Sequence, residues 1–323
     1  MKKQIKNLIL TFSALTLCSA VAAAYAVTLE KLMKIALHRE VPRHSERGKM
    51  RLCGSNTLSL ALETLITSAA ELEKTEMEKL TVTAFDGTEL IGHWYCPKSP
   101  RRIIVAMHGW RSNWSQDFGG ISPFWQENDC AVLYPEQRGQ GGSGGEYMGF
   151  GLLERYDCAK WADLITEKTG GKLPVYLCGI SMGATTVLMA SGCGLPSSVH
   201  GIIADCGFTS PKDIWKHVAE QNLHIPYLLY GGAANDLCRK KIQVAPNSYS
   251  TTEALKENNI PVLFIHGTDD KFVPIDMTFQ NYKACKSKKH LLVVPGAEHG
   301  MSYLVDKNAY QSAVLNFWQE FDN

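Results

Sequence analysis

Between residues 102 and 296 the chain returns six times to a short, almost wholly apolar run: RIIVAM, CAVLYP, PVYLCGI, VHGIIAD, PVLFIHG and HLLVVPG. A strand with one wet face alternates apolar and polar residues, whereas a strand that is apolar throughout has to be covered on both faces. Most of these runs are separated by stretches long enough for a helix. The spacing of apolar residues places helices over 114–128, 152–168, 182–192, 275–285 and 305–321, with Asn113 as a cap for the first. Strands alternating with helices make a mostly parallel sheet flanked by helices, so the fold class is α/β. Ahead of this series LTVTAF and ELIGHWYC flank the turn Asp86-Gly87 and read as a hairpin.

The 323 residues allow one domain or two, and no repeat or low-complexity linker divides the series of strands. One α/β domain is therefore expected over residues 80–323. A helical segment over 27–79 precedes it, in which Leu58, Ala61, Leu62, Leu65, Ile66, Ala69 and Leu72 recur at spacings of three and four, with breaks at Pro42 and Gly54. The long interval 211–250, between two strands, reads as a cap, because insertions after a strand's carboxyl end commonly cover the site of an α/β sheet.

The first 26 residues stand apart. Lys2, Lys3 and Lys6 precede an apolar stretch from Leu8 to Val27, and Ala24-Tyr25-Ala26 offers a cleavage site, the pattern of a secretory signal. The stretch is also long enough to cross a bilayer uncleaved with its basic end inside. Both readings place the folded domain outside the cytoplasm, secreted or membrane-anchored. The alternative is a buried N-terminal helix of a cytoplasmic protein. Cys18 follows Leu17, too large for the residue before a lipidated cysteine.

Lys+Arg (33) and Asp+Glu (32) are in balance, so no basic field marks a nucleic-acid partner. The ten cysteines are scattered without the paired spacing of a zinc site, and Cys130 and Cys178 sit inside apolar runs as small buried hydrophobes.

Gly179-Ile180-Ser181-Met182-Gly183 follows the run PVYLC and opens the helix ATTVLMA. In this G-x-S-x-G context a tight strand-to-helix turn pushes a serine hydroxyl out of the sheet, which makes Ser181 the candidate nucleophile. A serine hydroxyl needs a base to accept its proton and a carboxylate to orient that base. Two strand ends supply them: HGTDD at 266–270 and PGAEHG at 295–300. Ser181, Asp270 and His299 satisfy the order serine, acid, histidine, with Asp269 and then Asp205 as rival acids. The oxyanion requires two backbone donors. The amide of Met182, at the start of the helix, is one; the amide of Trp110, in the His108-Gly109-Trp110 loop after RIIVAM, is the other, with His108 shaping that loop. The Trp110 indole is a candidate for lining the substrate pocket, and Trp125 for core packing.

With HGW at 108–110, GISMG at 179–183, HGTDDKFVP at 266–274 and GAEHG at 296–300, the chain resembles a serine hydrolase of the α/β-hydrolase superfamily from about Leu80 to Phe321. In that family the acid stands three residues after the glycine of the strand-end HG, which selects Asp270. More narrowly, EQRGQGGSGGEYMGFG and ERYD resemble a group of little-characterised exported or membrane-anchored bacterial members. Glu136 departs from the aspartate common in this loop. The resemblance implies an esterase that forms an acyl-enzyme on a small-molecule acyl substrate and uses no cofactor and no metal. A peptidase or amidase, a thioesterase and an acyltransferase use the same triad and stay open, although about 80 residues before the sheet are too few for the propeller of prolyl-oligopeptidase-type relatives.

Other readings of the same residues are weaker. Gly139 to Gly144 fits G-x-G-x-x-G, but Glu146 to Gly149 prolongs the loop where a dinucleotide site would open a helix. His93, His200, His217, His224 and His290 lack partners at triad or ligand spacing, and no H-E-x-x-H or Cys-x-x-Cys occurs. A binding module on a retired hydrolase fold would not need the triad and both oxyanion positions intact. A dehalogenase would carry a carboxylate in place of Ser181.

Overall fold

The computed structural model describes residues 22–40 and 56–322, with side chains from 63 onward in the second stretch. The basic start of the chain and its apolar stretch through residue 21, Cys18, Pro42, Gly54, Leu58, Ala61 and Leu62 lie outside the described residues or side chains.

Helix α1 covers residues 22–37 and helix α2 Asn56–Glu73. The hairpin follows as β1 (Glu78–Thr83) and β2 (Glu89–Tyr95), antiparallel across Asp86-Gly87, with Gly87 at φ 83° where the turn demands it. Each of the six apolar runs is a strand: β3 (Arg102–Met107), β4 (Cys130–Pro135), β5 (Val175–Ile180), β6 (Val199–Asp205), β7 (Val262–Gly267) and β8 (Lys289–Val294). They join in one eight-stranded sheet of order β1-β2-β4-β3-β5-β6-β7-β8, parallel from β4 to β8. The order reverses around β3: the chain goes first to β4 on one side, then back across to β5 on the other. Such a reversal opens a crevice at the strands' carboxyl ends, here those of β3 and β5.

Both faces of the sheet are covered. On β3, Ile103, Val105 and Met107 pack with Leu177, Trp161 and Val187, while Ile104 and Ala106 pack with Phe118, Trp125 and Trp318. Strand β8 departs from the expectation of two covered faces. It ends the sheet, so Leu291 is exposed.

The helix expected over 114–128 is two, α3 (Trp114–Phe118) and α4 (Ser122–Glu127). Asn113 caps the first, accepting from the Gln116 amide at 2.8 Å. The break falls at Gly119, where a Cβ would lie 2.6 Å from the backbone of Ser68, so α2 crosses too closely for any side chain. Helices α5 (Glu154–Thr169) and α6 (Met182–Ala190) stand within two residues of the expected bounds. The interval 211–250 holds α7 (Pro211–His217), a π-helical turn over Val218–Asn222, and α8 (Tyr227–Ile242). Helix α9 (Thr251–Glu257) leads to β7, and α10 (Ile275–Ala284) follows it. The last expected helix, over 305–321, is α12 (Lys307–Phe321), preceded by the short α11 (Ser302–Val305) and capped by Asp306, whose carboxylate accepts from the Ala309 amide at 2.9 Å.

Helix α1 is bound at both ends. Tyr25 stacks on Tyr230 of α8, with centroids 4.8 Å apart, and donates its hydroxyl to the Leu229 carbonyl; Glu30 pairs with Lys241 at 2.8 Å. At the other end the Arg111 guanidinium donates to the carbonyls of Lys34 and Ile35 in the last turn of the helix and of His38 just beyond it.

Candidate active site

Ser181 sits between β5 and α6 at φ 57°, ψ −117°, a conformation costly for any residue with a Cβ. Its surroundings leave it no other. The Ser181 amide donates to the Asp205 carbonyl at 2.9 Å, and its own carbonyl accepts from Thr185 in the first turn of α6. A Cβ on Gly179 would fall 2.3 Å from the Gly183 backbone, and one on Gly183 only 1.8 Å from the Met107 carbonyl oxygen. Both glycines are therefore required for the turn to close against β3.

The loops after β7 and β8 bring the other two residues to it. His299 Nε2 lies 2.8 Å from Ser181 Oγ, and its Nδ1 lies 2.7 Å from Asp270 Oδ2. Asp270 is firmly held: its Oδ1 accepts the amides of Phe272 and Val273 at 2.9 Å each. Burial would raise this carboxyl, but the charge and hydrogen bond of His299, together with His266, hold it well below the ordinary carboxylate range. Burial likewise works against a charged His299, and Asp270 outweighs it, so the imidazole is held above its ordinary value.

The two rival acids are placed elsewhere. Asp269 is exposed and accepts from its neighbour Thr268. Asp205 ends β6 buried, accepts from Ser302 Oγ at 3.0 Å, and is pushed up to about 6 by that burial.

Three supporting residues have no signal in the sequence. His266 Nε2 lies 2.9 Å from the Val273 carbonyl, an acceptor, so that nitrogen carries a proton; the same nitrogen is 3.2 Å from Asp270 Oδ2. Its Nδ1 then accepts from Thr278 Oγ1 at 2.7 Å. Asp117 holds the loop after β3, accepting from the Gly109 amide at 2.6 Å and from Ser112 Oγ. Glu154, fully buried, does the same for the loop before α5 through the amides of Gly149 and Gly151. Each folds back on groups close to it in sequence, and only the formed turn reveals the contact.

The loop after β3 abuts the serine: a Cβ on Gly109 would lie 3.5 Å from the Ser181 Cβ. His108 is spent on the loop itself. Its Nε2 accepts from the Gln137 amide at 3.1 Å, so Nδ1 donates to the Gly109 carbonyl at 2.9 Å. Met182 is the first residue of α6, so its amide has no intrahelical acceptor. Trp110 follows Gly109, and its indole Nε1 donates to the Ala36 carbonyl at 2.8 Å. The indole also lines a cavity of about 390 Å³ that reaches Ser181. Phe272, whose ring packs edge-on against His299 at 5.0 Å, stands beside it. Helix α1 and the 211–242 segment supply most of the remaining wall.

The other residues singled out from sequence are structural. The loop 139–144 folds onto Glu136, whose longer side chain reaches both the Gly142 amide and His93 Nε2, the latter at 2.7 Å. The Gly139 and Gly144 amides are used within the sheet and loop, which leaves no cradle for phosphates. Arg138 in the same loop makes a buried two-pronged pair with Asp157, both contacts at 2.6 Å. His200 bonds the Phe321 carbonyl, His217 the Lys271 carbonyl, and His290 pairs with Glu320, while His224 takes φ 56° at a turn. Trp125 is buried in the core, as are Cys130 and Cys178. Cys206, Asp270 and His299 bring potential metal ligands within 4.8 Å of one another. The carboxylate and imidazole are spent on each other, and burial drives the Cys206 thiol well above its ordinary range, toward the protonated form that binds metals poorly.

Comparison with known proteins bears on the family and the fold. The chain is 24% identical over 245 residues to the uncharacterized protein YqkD of Bacillus subtilis strain 168, covering 76% of this chain and 80% of that one. In structure it is similar to the Pyrococcus furiosus esterase Pf2001, with a TM-score of 0.62 and 18% identity over 79% of this chain and 94% of that chain. It is also similar to the Pyrococcus horikoshii acylaminoacyl peptidase, with a TM-score of 0.57 and 15% identity over 79% of this chain and 43% of that one. At such identities the two structures speak for the α/β-hydrolase fold alone. The family model described as the prolyl oligopeptidase family matches residues 116–322. From the first turn after the Trp110 loop to the last helix, then, this is a serine hydrolase of α/β-hydrolase fold, and the chain belongs to the prolyl oligopeptidase family.

Proposed function

We propose that the protein hydrolyses carboxylic acyl esters through Ser181, His299 and Asp270. The observation that carries this reading is the unbroken line of hydrogen bonds Ser181–His299–Asp270, 2.8 and 2.7 Å long, ending at an apolar cavity. Ser181 Oγ attacks the ester carbonyl as His299 Nε2 takes its proton. Asp270, held ionised, steadies the imidazolium that forms. The carbonyl oxygen becomes negative and accepts from the amides of Trp110 and Met182. His299 then returns the proton to the leaving alcohol, leaving an acyl-serine. A water deprotonated by His299 releases the acid and restores Ser181. No step calls on a cofactor.

The test is turnover of p-nitrophenyl esters by the full chain and by Ser181→Ala. Loss of turnover in a variant that melts like the parent supports the mechanism; retention of most of the activity overturns it. The family and the acylaminoacyl peptidase neighbour favour a second reading, cleavage of an amide on the same triad. Serine-dependent release of p-nitroaniline from acyl-aminoacyl anilides at rates above the esters would establish it instead.

We propose further that the enzyme acts outside the cytoplasm with its N-terminal segment uncleaved. Lys2, Lys3, Lys6 and the apolar stretch Leu8 to Val27 support export. The packing of Tyr25 on Tyr230 supports retention of the segment, because cleavage after Ala26 would remove that ring. Among the described residues no helix is long and apolar enough to cross a membrane.

A further inference from the structure

We propose that the cavity beside Ser181 is an acyl-chain site for a saturated chain of about a dozen carbons, and that helix α1 is one of its walls. This rests on the esterase reading and deepens it by assigning the acyl length. At roughly the 30 Å³ that a small heavy-atom group occupies in a condensed phase, 390 Å³ holds about thirteen carbons. Trp110 and Phe272 line it near the serine; Leu29 and Met33 come from α1, Ile214 and Ala234 from the cap.

The polar groups along this wall are turned to other uses. The Trp110 N–H is given to Ala36, three Arg111 donor bonds to the end of α1, and the Tyr227 hydroxyl to Asn235. Arg111 Nη1 and Trp215 Nε1 have no partner among the described residues, but neither has surface to offer a ligand. A peptide threaded into this space would carry many amide N–H and C=O groups to a wall on which few polar groups, the Tyr230 hydroxyl among them, are left to bond them, a burial that opposes binding. An alkyl chain brings no such groups, and each methylene transferred from water adds to affinity. The wall is built by several separate pieces of chain, and the piece ahead of the sheet is held in place by Arg111 and Trp110, neighbours in the very loop that offers the oxyanion amide. Acyl recognition and oxyanion stabilisation thus share one support.

The experiment uses the full chain and p-nitrophenyl esters from acetyl to palmitoyl. We expect kcat/KM to rise by about threefold per methylene, to peak near ten to twelve carbons and to fall beyond. Ala234→Phe should move the peak to shorter chains by about three carbons; Ala219→Phe, on a half-exposed part of the wall, serves where the first fails to fold. A peak at acetyl or butyryl, with Ser181 still labelled by a fluorophosphonate, overturns the acyl site and leaves the hydrolase standing. Absence of both labelling and turnover overturns the hydrolase reading. The acyl site is then judged by binding: quenching of tryptophan fluorescence by dodecanoate in Ser181→Ala supports it, and no quenching overturns it.

Discussion

The Trp110 indole donates to the Ala36 carbonyl at 2.8 Å, which ties the loop beside Ser181 to a helix residue 74 positions earlier in the chain. Trp110→Phe keeps the ring and removes this bond. A net loss of about 1 kcal/mol in stability is expected. If the bond also steadies the Trp110 amide, kcat falls about tenfold while KM for a short ester hardly moves. Urea unfolding and steady-state kinetics on an acetyl ester check the two halves separately.

Gly183 has no room for a methyl group, since its Cβ would meet the Met107 carbonyl at 1.8 Å. Gly183→Ala has to push α6 away from β3, at a cost of about 3 kcal/mol. A lowered urea midpoint with an unchanged slope would bear this out. A variant as stable as the parent would show that the strand-to-helix turn has slack.

Activity should fall on the acid side. His299 accepts the Ser181 proton only when neutral, and Asp270 holds the imidazole above its ordinary 6.5. Protonation as pH falls through that raised value removes the base, so the acid limb of kcat/KM has its midpoint above 6.5. Asp270→Asn takes away the charge responsible. It should shift the midpoint downward and cut kcat by roughly 10⁴-fold. A limb that stays in place would assign it to another group.

Asp205 titrates in the opposite sense as a matter of stability. Its folded carboxyl is raised from 3.8 to about 6, so the folded state binds the proton more tightly than the unfolded chain. Folding is favoured fully below pH 4, and that advantage is lost as pH rises through about 6. Asp205→Asn retains an acceptor for Ser302 and does not ionise. At pH 7 it should exceed the parent by on the order of 2 kcal/mol, with the gap closing below pH 4. Thermal melts of both proteins from pH 4 to 8 decide it.

Mass spectrometry of the protein recovered from the producing cell should find a peptide that joins Tyr25 to Val27, with no cut between them. A chain made to begin at Val27 loses the Tyr25–Tyr230 stack and should be less stable by about 1 kcal/mol. A mature protein that begins at Val27 would overturn retention of the segment.

Much of this was readable in advance, for reasons that differ by element. A run such as RIIVAM announces a doubly covered strand because burial on both faces is a demand on every residue of it. HLLVVPG carries the same signal yet forms the edge strand β8, since a run cannot tell how many neighbours it will have. The periodicity over 114–128 reads as one helix, whereas the chain breaks there, because periodicity ignores the crossing of α2 at Gly119. Ser181, Asp270 and His299 were legible because each follows a strand inside a short local motif. Asp117, His266 and Glu154 were not, because no run or motif marks a polar side chain that folds back on amides and carbonyls a few positions away.

The amino-acid pattern was enough for the sheet, the nucleophile turn and the order of the three polar residues, since each depends on neighbours within a few positions. The choice between Asp269 and Asp270 became a matter of geometry in the folded chain, where one side chain faces water and the other His299. The cavity beside Ser181 came entirely from packing. Its walls are α1, the Trp110 loop and the cap, and no local pattern records that segments so far apart in sequence will leave an apolar space between them.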